Sequence, residues 1–98
     1  MRVKFKDGTE KNCSNPTEQK IFKNGEAAGW VCSLIIADKM SSTDVDSVLE
    51  VENIKELTFC NDESVTLFSI IGYSKVTSAV VRHNESMGSI EIQLTKGV

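Results

Sequence analysis

The chain has 98 residues, of which 40% are hydrophobic and 26% charged, and its formal net charge is −3. This length supports one hydrophobic core, so residues 1–98 are taken as a single domain. The composition excludes a low-complexity or disordered chain. The longest uninterrupted apolar run covers residues 34–37 and is far too short to cross a membrane.

The first ten residues are rich in charged side chains, and the number of cysteines is odd. A charged amino terminus predicts neither export by a signal peptide nor membrane insertion. No two of the three cysteines are spaced for a zinc knuckle, which favours reduced thiols in a cytoplasm. A disulfide between Cys13 and Cys60 is the alternative. Strand alternation places Cys32 on the same side as Trp30 and Leu34, as a small core residue.

The first predicted element is a hairpin that turns at Asp7-Gly8. A two-residue loop would set Lys4 opposite Lys11. A three-residue loop with Gly8 as the bulge residue sets Lys4 opposite Glu10 instead. Opposite charges pair better across strands, so we predict the bulged register.

A second hairpin follows after Pro16, which interrupts strand pairing. Its turn is Asn24-Gly25, the strongest hairpin signal in the chain. A two-residue loop there places Lys23 opposite Glu26.

One short helix is predicted over about residues 43–51. Ser42 or Thr43 can cap it, and Thr43 with Asp46 has the spacing of a capping box. Its apolar stripe consists of Val45, Val48 and Leu49.

The rest of the chain reads as β-strand. Leu57 and Phe59 alternate to one side, and Phe59 is expected to share a core with Trp30. Three strands after residue 60 predict an antiparallel meander, the last of them covering residues 89–94. We therefore predict a mainly β α+β fold, a small antiparallel sandwich or partly open barrel with one short helix. If residues 89–94 form a sheet edge, they offer a route to a homodimer.

Candidate metal and catalytic groups are few. Asp44 and Asp46 begin like a calcium loop, but Val48 occupies the next ligand position and no glycine follows. His83 is the only histidine and reads as an exposed turn residue. Asp46 and Glu50 project away from the apolar stripe, so their carboxyls should stay solvated and ionised. We expect no metal, no cofactor and no enzymatic activity.

The acidic charge is strongly concentrated. Residues 44–63 hold seven of the fourteen acidic residues and one lysine, giving this segment a net charge of −6. Such a segment attracts a protein with a basic surface and repels nucleic acid, although it could also be only a solvated face. Direct nucleic-acid binding is not expected, because no basic stripe with interleaved aromatic residues occurs. The candidate partner-binding residues are Asp44, Asp46, Glu50, Glu52, Glu56, Asp62 and Glu63.

The carboxy-terminal half of the sequence resembles a known class of small proteins. Residues 54–97, with Gly72-Tyr73 followed by Lys75 and an alternating last strand, resemble small accessory proteins of tailed bacteriophages and prophages. The resemblance implies either a virion or tail component or a host-takeover factor, such as an anti-CRISPR protein that occupies the working surface of a host enzyme. It implies no site residues. The expected function is thus a non-enzymatic inhibitor whose acidic face occupies a basic, nucleic-acid-binding surface, with a structural or assembly accessory protein of a phage particle as the alternative.

Overall fold

The computed structural model describes residues 1–83 and 88–98, which form two four-stranded antiparallel sheets and two short helices. The first sheet has the strand order β2-β1-β5-β6 and the second the order β3-β4-β8-β7. The predicted mainly β α+β fold is confirmed, and neither sheet closes into a barrel within the described residues. The elements are β1 Arg2–Lys4, β2 Glu10–Asn12, β3 Thr17–Lys23, β4 Glu26–Ile36, α1 Ser42–Val48, α2 Val51–Ile54, β5 Glu56–Cys60, β6 Thr66–Ile71, β7 Lys75–His83 and β8 Gly88–Lys96.

Both predicted hairpin registers are confirmed. In the first hairpin, Lys4 lies opposite Glu10 and Gly8 has a φ of 95°, the conformation a bulged turn requires. In the second, residues 23 and 26 lie opposite each other. Asn24 and Gly25 have φ angles of 52° and 79°, as a type I′ turn needs.

The helical segment differs from its prediction in where it begins and ends. The cap of α1 is Ser41, whose hydroxyl accepts a hydrogen bond from the Asp44 backbone N–H at 3.1 Å. The Asp44 carboxylate in turn accepts from the Ser41 backbone N–H at 3.4 Å, so the capping box is Ser41–Asp44 and not Thr43–Asp46. α1 ends at Val48, whose carbonyl accepts a hydrogen bond from the side-chain amide of Asn53. The predicted single helix is therefore two, separated at Glu50, where the backbone is extended.

The predicted carboxy-terminal meander is wrong. The hairpin of β5 and β6 belongs to the first sheet, whereas the hairpin of β7 and β8 belongs to the second. Residues 72–74 carry the chain between the sheets, and Gly72 has a φ of 87°. β8 lies between β4 and β7, so residues 89–94 are not an edge. The edge strands are β2 and β6 in the first sheet and β3 and β7 in the second.

The core lies between the two sheets, where fully buried Phe59 and Leu57 of the first sheet meet the second. Cys32 is fully buried as predicted. Trp30 lies on the same face of β4 but is 36% exposed, because the part of this face that the first sheet covers begins at Cys32. The expectation that Trp30 shares the core with Phe59 is therefore wrong.

All three cysteines are free, which excludes the alternative pairing of Cys13 with Cys60. None of the described helices is long and apolar enough to span a membrane.

Candidate functional site

The seven predicted binding residues are all exposed but fall into separate groups. Four of them lie on the α1–α2 segment and are called here the helical acids: Asp44, Asp46, Glu50 and Glu52. Asp62 and Glu63, the turn acids, lie in the turn between β5 and β6. The five residues of β5, roughly 15 Å of strand, separate the two groups.

Asn53 fixes the position of the α1–α2 segment. Its side-chain oxygen accepts a hydrogen bond from the Asp7 backbone N–H, and its side-chain nitrogen donates to the Val48 carbonyl, both at 2.8 Å. The Asn53 carbonyl also accepts from the backbone N–H of Lys6 at 3.3 Å. Because Asn53 is only 6% exposed, these bonds are shielded from water and join the first hairpin firmly to both helices.

A groove of about 370 Å³ opens between the first hairpin and the helices. Its charged side chains are three acids and one lysine. Asp7 stays ionised, because hydrogen bonds from Thr9 hold the pKa of its carboxyl below the usual value. The groove is therefore negative. It is lined by Lys6, Asp7, Ser47, Glu50, Glu52 and Asn53.

The helical acids differ in how much of their charge is already balanced. Glu52 accepts a hydrogen bond from Lys55 at 2.6 Å and lies 3.8 Å from the Lys6 ammonium, and the Lys55 contact lowers the pKa of Glu52. The Asp44 carboxylate accepts the hydrogen bond from the Ser41 backbone N–H in the capping box of α1. Asp46 and Glu50 make no ion pair with any other described residue. These two carboxylates are the ones most available to a partner.

The acidic surface does not extend evenly to the other candidates. Glu56 lines a depression on the first sheet together with Lys4 and Lys6, where the charges are mixed. Asp62 lies 3.7 Å from the amino-terminal ammonium of Met1. The helical acids thus lie on one continuous segment, of which Glu50 and Glu52 line the same groove, whereas Glu56 and the turn acids lie on other elements.

A second surface was missed by the sequence reasoning. Across β3, β4 and β8, the register places Lys20 beside Trp30 and Trp30 beside Lys96. The Lys20 Nζ lies 5.6 Å from the Phe22 ring centre and 5.7 Å from that of Trp30. The Lys96 Nζ lies 5.8 Å from Trp30 and 4.7 Å from Tyr73, distances typical of cation–π contacts. We call these five residues the lysine–aromatic row.

The bulge in the second hairpin explains why this row was missed. A regular ladder from the Asn24-Gly25 turn sets Trp30 opposite Gln19. The register shift between Ile21 and Phe22 moves Trp30 opposite Lys20 instead. Gly29, with a φ of 146°, was the available signal, because a glycine within a strand often marks a bulge.

The structure bears on the metal-ligand and thiol predictions. No group of three or more metal-ligating side chains occurs among residues 1–83 and 88–98. The predicted exposure of His83 concerns a side chain outside the described part, and residues 84–87 of the predicted turn also lie outside it. Burial raises the pKa of the Cys13 and Cys32 thiols to about 11, so neither is an active nucleophile near neutral pH.

Comparisons with protein families, curated proteins and solved structures find no match to this chain.

Proposed function

We propose that this protein is a non-enzymatic, phage-type inhibitor that binds a host protein through the helical acids and competes there with nucleic acid. The observation that carries the proposal is the position of Asp46 and Glu50, two exposed carboxylates without a cationic partner in the described chain. Glu50 lines the negative groove that Asn53 holds in place, and Asp46 directly precedes Ser47 of the same lining.

A fixed group of carboxylates is suited to a basic partner for two reasons. Its field raises the rate of encounter with a positively charged surface, and its rigidity reduces the ordering cost of binding. A surface that binds nucleic acid presents lysine and arginine side chains to phosphates, so it offers the matching charge. The host enzyme we propose is of this class.

The alternative function is a structural accessory protein of a phage particle. Edge strands favour it: among the strands that the structure describes, β6 and β7 each have a neighbour on one side only. An exposed edge with apolar side chains is suited to pairing with a strand of another subunit. These exposed side chains are Leu67, Phe68 and Ile71 of β6 and Val80 and Val81 of β7.

Affinity capture from a bacterial lysate separates the two functions. The wild-type protein and the variant Asp46→Lys/Glu50→Lys serve as baits, and the captured protein is then challenged with nucleic acid. We expect the wild type to retain a nucleic-acid enzyme that added nucleic acid releases, and the variant to lose it. Recovery of virion proteins by both baits, unaffected by nucleic acid, would support the assembly function instead.

A further inference from the structure

The second sheet has an uncovered end on its core-facing side. β4 has eleven residues, whereas the longest strand of the first sheet has six. The core-facing side chains of β4 reflect this difference, because Leu34 and Cys32 are at most 4% exposed while Trp30 is 36% exposed. Trp30 and its neighbours therefore continue the inner face beyond the first sheet.

Two exposed aromatic rings at this end of the sheet, those of Phe22 and Trp30, contact the same lysine ammonium. The ammonium of Lys20 is within 6 Å of the ring centres of both Phe22 and Trp30, so both rings lie on the same face of the sheet. Phe22 is 62% exposed, a large fraction for a phenylalanine on a structured strand. Lys20, Phe22 and Trp30 thus form an exposed surface in which a lysine lies between two aromatic rings.

The other cation of the row is held in place by the fold. The Lys96 Nζ donates a hydrogen bond to the Ile71 carbonyl at 3.0 Å and lies over the Tyr73 ring. The hydroxyl of Tyr73, which is fully buried, donates to the Glu18 carboxylate at 2.5 Å. Because these contacts order Lys96 before any ligand arrives, little side-chain entropy is lost when it meets an anion.

We propose that the lysine–aromatic row binds single-stranded nucleic acid. Surfaces for single strands combine cations for the phosphates with aromatic rings on which unpaired bases stack. Here a base stacks on Phe22, the next lies against Trp30, and the phosphates are met by Lys20 and Lys96. This proposal does not rest on the acidic-surface function, since the helical acids lie on a different element.

Two competing ligand classes fit less well. A duplex keeps its bases stacked, so it cannot use the exposed rings. An acidic peptide would satisfy the lysines but has no ring system for Phe22 and Trp30. Glu18 and Glu26 lie on the same two strands as Lys20 and Lys23, so the local positive excess is small, and we expect weak, salt-sensitive binding.

The single tryptophan of the chain lies in the proposed site, so its fluorescence reports directly on occupancy. The probe is an oligothymidylate of about 10 nucleotides, within the usual range for one small binding surface. We expect it to quench Trp30 fluorescence, with affinity that falls as salt rises. Phe22→Ala should weaken binding about 5- to 100-fold, the range for loss of one stacked base. Anisotropy of a labelled oligonucleotide provides the second readout.

Lys20→Ala and Lys75→Ala form the matched pair of controls. Each removes one positive charge from an exposed strand position, but only Lys20 belongs to the row. We expect Lys20→Ala to weaken binding and reduce the salt slope by about 0.7, and Lys75→Ala to change neither. Equal losses from both variants, absent quenching at low salt, or equal binding of polyglutamate or duplex DNA would each overturn the proposal.

Discussion

The Asn53 side-chain oxygen accepts a hydrogen bond from the backbone N–H of Asp7, a residue 46 positions earlier in the chain. The same amide donates to the Val48 carbonyl at the end of α1. One buried side chain therefore joins the tip of the first hairpin to the end of one helix and the start of the next. It links the fold to the candidate site, because the negative groove lies between these elements.

Replacing Asn53 with alanine should destabilise the protein by about 2 to 4 kcal/mol. The change leaves the buried Val48 carbonyl and the Asp7 N–H without their partners, and each unsatisfied group costs about 1 to 3 kcal/mol. Urea unfolding followed by circular dichroism measures the loss. Asn15→Ala, at an exposed position, is the control and should change stability by less than about 0.5 kcal/mol. Equal stabilities for the two variants would contradict the role given to Asn53.

Phe59→Ala should cost about 3 to 5 kcal/mol and bring so small a domain close to unfolding. Phe59 is fully buried, and its ring stacks on that of Phe68 with centres 4.9 Å apart. Phe22→Ala removes the same side chain from a position that is 62% exposed, and should cost less than about 1 kcal/mol. Thermal melting of both variants tests this contrast, and a small effect at Phe59 would refute the assigned strand parity.

The parts of the fold that local chemistry determines could be predicted from the sequence. Gly8, Asn24 and Gly25 adopt the positive φ angles that these two turns need, and the bulged first turn sets Lys4 opposite Glu10. The distribution of strands between sheets could not be predicted this way. A turn at residues 72–74 can either continue one sheet or cross to another, and long-range packing decides between them.

The sequence predicts which acidic residues the candidate site contains, but it does not predict how they are arranged in space. The sequence places seven acids within twenty residues, but the break at Glu50 and the length of β5 depend on tertiary contacts. Asn53 had no sequence signal, because a buried asparagine looks like any loop asparagine until its partners are known. The lysine–aromatic row depends on a bulge that shifts Trp30 by one position relative to β3.

Stability should fall as the pH rises from about 9 toward 11. The usual thiol pKa is 9.0, and burial raises that of Cys32 to about 11 in the fold, with Glu18 adding to the shift. A group whose pKa is raised on folding contributes full stability below its unfolded value and loses it as pH approaches the folded value. Cys32→Val removes this titration, so its urea midpoint should fall less steeply over that range than the wild type's. Identical slopes would show that the thiol does not contribute.

Charge reversal of Asp46 and Glu50 tests whether the helical acids form a binding surface. Both are exposed and neither caps a helix through its side chain, so Asp46→Lys/Glu50→Lys should lower stability by no more than about 1 kcal/mol. Asp62→Lys/Glu63→Lys is the matched control, since it makes the same change in net charge at the far end of β5. A melting curve for each variant establishes that both fold.

The decisive measurement is affinity for the captured partner at two ionic strengths. Wild-type binding should strengthen as salt is lowered, because attraction between exposed charges is less screened. Reversal of Asp46 and Glu50 converts that attraction into repulsion, so association should slow and binding should weaken further at low salt. The turn-acid variant should retain most of the wild-type affinity and its salt dependence. If the two variants lose affinity equally, binding depends only on the overall charge of the protein. If neither variant loses affinity, the acidic segment is a solvated face, and the edges at β6 and β7 become the better candidates for the interface.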